Sequence, residues 1–159
     1  MESLSLEETE SGVYEATYVD IPSSVQLPSL QPGTTIFIHG KTDKHAKDFS
    51  ASFCVGLDTD YDVAFHYNPR LKDKIVYCND KQRDDWGYEE TEDYVPFKKD
   101  TVFELRFDVT QDGYEVSVDN TIVQFFKHRI PFQMVSHLYL TGDIRVNRVQ
   151  LFDPESDEN

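Results

Sequence analysis

Phe103-Glu104-Leu105-Arg106-Phe107-Asp108-Val109 runs into Thr110-Gln111-Asp112-Gly113, then Tyr114-Glu115-Val116-Ser117-Val118 and Asp119-Asn120. Apolar residues occupy every second position on both sides of a Gln-Asp-Gly turn. Successive side chains of a strand point to opposite faces, so a period of two builds one apolar and one polar face. Asp and Gly supply the turn conformations, and Asp119-Asn120 supplies another. The stretch therefore predicts a half-buried antiparallel hairpin followed by a further reversal.

The same period extends outward in both directions. Phe49, Ala51, Phe53, Val55 and Leu57 alternate with smaller or polar neighbours, and Val63, Phe65 and Tyr67 alternate with Asp62, Ala64, His66 and Asn68. Pro32-Gly33 marks a turn near the start. No long window carries an apolar stripe at helical spacing. The expectation is an all-β fold, a two-sheet antiparallel sandwich of about ten or more short strands.

With 159 residues the chain fits one domain with a substantial core. The net charge is −15, which argues against nucleic acid and against anionic membrane surfaces, because both recruit Lys and Arg. No apolar run reaches the roughly 18 residues of a membrane-spanning helix, so no direct membrane insertion is expected. Glu2, Glu7, Glu8 and Glu10 cluster at one end and Asp153, Glu155, Asp157 and Glu158 at the other, leaving −7 on the body. Residues 1–18 are read as an acidic N-terminal tail or extension, 19–152 as the domain, and 153–159 as an acidic C-terminal tail, with the ends frayed. The acidic start lacks the basic and apolar regions of a secretory signal. Cys54 and Cys78, in strand-like runs, are expected to be free thiols in a reducing, cytoplasmic compartment.

The chemistry concentrates in three short runs. They are Phe65-His66-Tyr67-Asn68-Pro69-Arg70, then Ile75-Val76-Tyr77-Cys78-Asn79, then Trp86-Gly87-Tyr88-Glu89. On a strand, His66, Asn68 and Arg70 share one face while Phe65 and Tyr67 point into the core. Pro69 places this near a strand end or edge. Asn79 follows on the next run, then Trp86, the only tryptophan, and Glu89. Hydroxyls of a sugar both donate and accept, so a neutral His, an Asn amide and an Arg fork can read their orientation. The apolar face of a pyranose can stack on an indole, and Glu89 can pair with Arg70. Taken singly, each residue has an ordinary structural reading. The joint spacing points to carbohydrate.

His66-x-Asn68-Pro69-Arg70, Val76-x-Cys78-Asn79 and Trp86-Gly87-x-Glu89 resemble, in order, the carbohydrate signature of the galectin family. Leu30-Gln31-Pro32-Gly33, Phe97, Phe103-Glu104-Leu105 and Gly142-Asp143-Ile144 extend the resemblance over about residues 19–152. It implies a jelly-roll sandwich, also seen in legume lectins, with a β-galactoside groove on its concave sheet. It further implies that His66, Asn68 and Arg70 bond the axial 4-hydroxyl, Asn79 the 6-hydroxyl, and Trp86 the ring face. Glu89, with Arg70, would reach the adjoining sugar of lactose or N-acetyllactosamine-type glycans. The partners implied are glycoproteins and glycolipids carrying β-galactosides. The resemblance permits a homodimer and export to the extracellular space without a signal peptide.

Besides a loop from Arg70 to Asn79 shorter than is usual, the chain departs from the family at two residues. Thr91 stands where an Arg usually steadies the Glu, and Tyr77 where a smaller residue is usual. The missing Arg is expected to weaken or alter second-sugar contacts, and Tyr77 to alter the groove floor. The competing expectation is a galectin-fold protein-interaction module with a vestigial sugar site.

No enzyme is expected. Glu89 and Glu90 are adjacent and point oppositely, so they do not form the opposed carboxylates of a glycosidase. Asp58-x-Asp60-x-Asp62 lacks the Gly and Glu of a calcium loop, the five histidines lack metal-ligand spacing, and no cofactor motif occurs.

Overall fold

The computed structural model describes residues 2–154. In chain order the strands are β1 (Ser3–Ser5), β2 (Glu7–Glu8), β3 (Tyr14–Val19), β4 (Ser23–Gln26), β5 (Thr35–Thr42), β6 (Phe49–Cys54), β7 (Val63–Arg70) and β8 (Ile75–Gln82). There follow β9 (Asp85–Trp86), β10 (Glu90–Glu92), β11 (Val102–Val109), β12 (Gly113–Val118), β13 (Thr121–Lys127), β14 (His137–Gly142) and β15 (Ile144–Phe152). One 3-10 turn, Phe132–Met134, is the only helical element among the described residues.

These strands form two sheets. One runs β1-β4-β14-β6-β7-β8-β10, with β9 on β8, and the other runs β13-β12-β11-β5-β15-β3-β2. The alternation at 103–118 becomes the β11–β12 hairpin, with Leu105 opposite Val118 and Phe107 opposite Val116. Asp119 and Asn120 both take left-handed backbone, at φ 49° and 68°, as a tight two-residue hairpin turn requires. Apolar faces of both sheets meet in one core. Phe65 stacks on Phe126 at 4.6 Å and Tyr114 at 5.0 Å, and Phe53 meets Phe107 edge-on at 5.0 Å. Each such aromatic pair adds about 0.5–1.5 kcal/mol beyond its burial.

Two features differ from the sequence expectation. The alternation through Leu57 predicts a longer strand than β6, which stops at Cys54 after a register shift at Phe53/Cys54. Residues 56–61 form an irregular loop instead, in which Asp60 N donates to Asp58 Oδ1.

Among the described residues the N-terminal segment is not a frayed tail from Ser3 onward. Ser3–Ser5 adds to β4 as a parallel strand, and Glu7–Glu8 adds to β3 as an antiparallel one. Leu6 between them packs against the core. Backbone ladders form irrespective of side-chain polarity, so an acidic, weakly patterned segment can complete both sheets. The C-terminal tail expected over 153–159 lies, from residue 155 onward, outside the described residues.

Tyr67 points into the core as expected, and it and Tyr114 bring hydroxyls there that find no hydrogen-bond partner among the described residues. Cys54 and Cys78 are buried and unbridged. Burial, and then the Asp58 carboxylate, push the Cys54 thiol up to about 12, and burial likewise pushes Cys78 up.

Candidate functional site

The two-residue side-chain period decides which groups meet on the outer face of the first sheet. Register pairs Tyr139 with Ser52, Ser52 with His66, and His66 with Asn79, giving one polar row across four strands. A neighbouring row joins Asn68, Tyr77 and Thr91 across β7, β8 and β10. The inner face of the same strands carries Phe65, Tyr67, Val76 and Cys78, all buried.

His66 is anchored from below. Its Nδ1 lies 2.7 Å from Ser52 Oγ, leaving Nε2 for the groove. Burial, reinforced by the Arg70 guanidinium, pushes its pKa down from 6.5 to about 4. A neutral imidazole suits a hydroxyl, because one ring nitrogen donates and the other accepts.

Asn68 is only 6% exposed. Its Nδ2 donates to Phe49 O at 2.7 Å and its Oδ1 accepts from Arg70 Nε at 2.8 Å. One N–H and one lone pair remain, enough to donate to and accept from a single hydroxyl. Arg70 lies over the Tyr77 ring at 3.9 Å, with Nη1 3.9 Å from Asp73.

Trp86 owes its place to a tight turn. Arg83 and Asp84 both adopt left-handed φ, 53° and 66°, and fold β9 back on β8 so that Trp86 pairs with Lys81. Arg83 N donates to Asp62 Oδ1 at 3.0 Å, which braces the turn. The indole is 48% exposed and its centroid sits 5.0 Å from the His66 ring, the two planes inclined at 56°. An exposed indole beside hydrogen-bonding groups can offer a flat apolar face to a ligand, and its exposure separates it from the core.

Glu89 lies just before β10 and is exposed; it has no hydrogen bond or ion pair among the described residues. The expected Glu89–Arg70 pair is replaced by Tyr77 and Asp73 as the holders of Arg70. His66, Asn68, Arg70, Asn79 and Trp86 are thus brought together on one face of the sheet by pairing and contact. Glu89 is exposed and makes no contact that ties it to this cluster among the described residues.

Two further residues build the site from outside the signature. Arg129, from the loop after β13, reaches Asn79 Oδ1 at 3.1 Å, Asp80 Oδ1 at 2.7 Å and Glu90 Oε2 at 2.7 Å. A Cβ at Gly87 would run into Asp80 Oδ1 and sit 3.2 Å from Arg129 Nη1, so any larger residue after Trp86 would displace the Asp80–Arg129 pair. Tyr139 extends the polar row away from Trp86. Burial and then the Asp58 and Asp60 carboxylates raise its phenol pKa. Neither Arg129 nor Tyr139 carries a local sequence signal, since their partners lie 39 or more residues away in the chain.

A galactoside-binding lectin family model matches residues 22–151. The chain is 39% identical over 150 residues to galectin-4 of Bos taurus, covering 92% of this chain and 45% of that protein. It is 31% identical to human galectin-7, covering 84% of this chain and 98% of the relative. It thus spans about half the length of the galectin-4 relatives and nearly all of galectin-7. A solved structure of a doubly substituted human galectin-16 superposes with a TM-score of 0.78 at 27% identity, covering 87% of this chain and 99% of that one.

Proposed function

This chain belongs to the galectin family of galactoside-binding lectins, and from that premise we propose that its concave groove binds β-galactosides of the lactose or N-acetyllactosamine type. The observation that carries the reading is the half-exposed Trp86 held 5.0 Å from His66, beside the unused hydrogen-bonding positions of Asn68 and Arg70. Galectins are lectins and not enzymes, and the work of the site is recognition.

The chemistry follows from what each group has left. Asn68 keeps one donor and one acceptor, His66 keeps Nε2, and Arg70 keeps guanidinium N–H groups. Converging on one axial hydroxyl, they reward its orientation. An equatorial epimer would leave them unpaired, at a cost of about 1–3 kcal/mol for each stranded group. Trp86 takes the apolar ring face.

Contacts to the second sugar are weaker than in the family pattern. Thr91 supplies no charge, Glu89 has no fixed partner, and Arg70 leans on Tyr77. Galactose affinity should therefore contribute an unusually large share of disaccharide affinity. The partners are galactoside-bearing glycoproteins and glycolipids. Two unbridged thiols support synthesis in a reducing compartment.

A lactose titration followed by Trp86 fluorescence, with glucose and cellobiose as controls, tests the reading. Lactose alone should shift the emission, and Trp86→Ala should lose at least tenfold in affinity with an unchanged urea midpoint. An unchanged wild-type spectrum at tens of millimolar lactose would overturn the lectin reading and favour the protein-interaction module.

A further inference from the structure

We infer that Arg129 is a positioning residue of the groove, fixing the Asn79 side-chain amide so that it meets a ligand only as a donor. The inference rests on the lectin reading for the identity of the ligand, and on geometry alone for the orientation of the amide.

Asn79 is 6% exposed, and nearly all its hydrogen-bonding capacity is spent. Its Oδ1 accepts from Arg129 Nη1 at 3.1 Å and from Asp80 N at 2.9 Å, which occupies both lone pairs. One Nδ2 hydrogen goes to Gly87 O at 3.1 Å. A single N–H is left. Turning the amide over would set its NH2 against two donors and its oxygen against a carbonyl, so all three contacts would become repulsive.

Arg129 is the charged member of this set and the one contributed from a distant loop. It is itself held by Asp80 Oδ1 and Glu90 Oε2, each at 2.7 Å, and its guanidinium lies 4.7 Å from the Phe126 ring centroid. The Asp80 carboxylate is only 4% exposed and its other oxygen accepts from Gln82 Nε2 at 2.8 Å. These contacts use both Nη groups at a fixed angle. A lysine brings charge to the same place but cannot span Asn79, Asp80 and Glu90 as a fork.

The consequence is selective. An amide restricted to donation favours a ligand group that accepts, and the galectin resemblance assigns Asn79 the exocyclic 6-hydroxyl. Losing the fork should therefore weaken recognition of that hydroxyl and spare the His66, Asn68 and Arg70 contacts.

The test compares methyl β-lactoside with its analogue deoxygenated at the galactose 6-position, by calorimetry, on wild type, Arg129→Lys, Arg129→Gln and Asn79→Ala. The two Arg129 variants are read side by side, and each must keep a dispersed two-dimensional NMR spectrum. We expect Arg129→Lys to lose about tenfold for the lactoside and less than twofold for the deoxy analogue. Combining it with Asn79→Ala should add nothing further. Equal losses for both ligands, or no loss for either, overturn the inference.

A ligand-free readout separates this from the lectin reading. In wild type the two Nδ2 protons of Asn79 should show distinct shifts, one typical of a bonded proton, and these should move in Arg129→Lys. Unmoved Asn79 shifts overturn the inference whether or not lactoside binds. If wild type binds no lactoside while the shifts move, the lectin reading falls and Arg129 still positions the amide.

Discussion

Acidification should reveal His66 as a neutral, half-buried group, and the effect can be sized from its surroundings. In the unfolded chain this imidazole takes up a proton near pH 6.5, whereas burial and the Arg70 charge delay uptake in the native state to about pH 4. Native stability associated with His66 is therefore complete above 6.5, erodes as the pH falls through the interval, and changes no further below about 4. At about 1.4 kcal/mol per pH unit the total is about 3 kcal/mol. Replacing His66 by Gln keeps a polar side chain and removes the titration. Urea unfolding of both proteins, followed by far-UV circular dichroism at pH 7, 6, 5 and 4.5, isolates the residue. The stability of wild type relative to the variant should fall by about 1.4 kcal/mol per pH unit below 6.5. His137, whose pKa burial also lowers, is common to both proteins and cancels. Parallel stability curves would refute the reasoning, because His66 would then titrate alike in both states. The same neutral ring predicts lactose affinity that is flat between pH 5 and 8.

Other outcomes can be measured directly. Tyr67→Phe should raise stability by about 1 kcal/mol by thermal unfolding, since it removes a buried hydroxyl with no partner among the described residues. Deleting residues 1–9 uncovers the edges of β3 and β4, so sedimentation should show self-association that rises with concentration. A truncated protein that remains monomeric would mean that the strap does not protect those edges. Thr91→Arg should tighten lactose binding more than galactose binding in calorimetry. Equal effects would refute the account of the second sugar.

Local pattern carried most of the fold and part of the site. Alternation at 63–67, 103–109 and 114–118 corresponds to β7, β11 and β12, because one face of each is buried and the side chains record it. Asp119-Asn120 announced its turn through residues that tolerate left-handed backbone. The strands at Ser3–Ser5 and Glu7–Glu8 left no such record; they are held mainly by backbone pairing at exposed edges. Within the site, His66, Asn68 and Arg70 share a face as strand geometry requires. What spacing could not supply was the partner of each group. The motif offers Arg70 a carboxylate, Glu89, yet Arg70 stacks on Tyr77 and leans toward Asp73. Arg129 enters from the far end of β13, a placement fixed by how the two sheets close on each other.

The two buried thiols bear on where such a lectin can work. Oxidants and alkylating agents attack the thiolate, and they need access to it. Cys54, with its pKa raised to about 12, and Cys78 offer neither at neutral pH. Both sulfurs sit on the strands that floor the groove, Cys54 at the end of β6 and Cys78 beside Asn79 on β8. Passage from a reducing to an oxidising milieu should leave that floor chemically unchanged. Without added reductant, the folded protein should resist thiol reagents and keep its sugar affinity on storage in air.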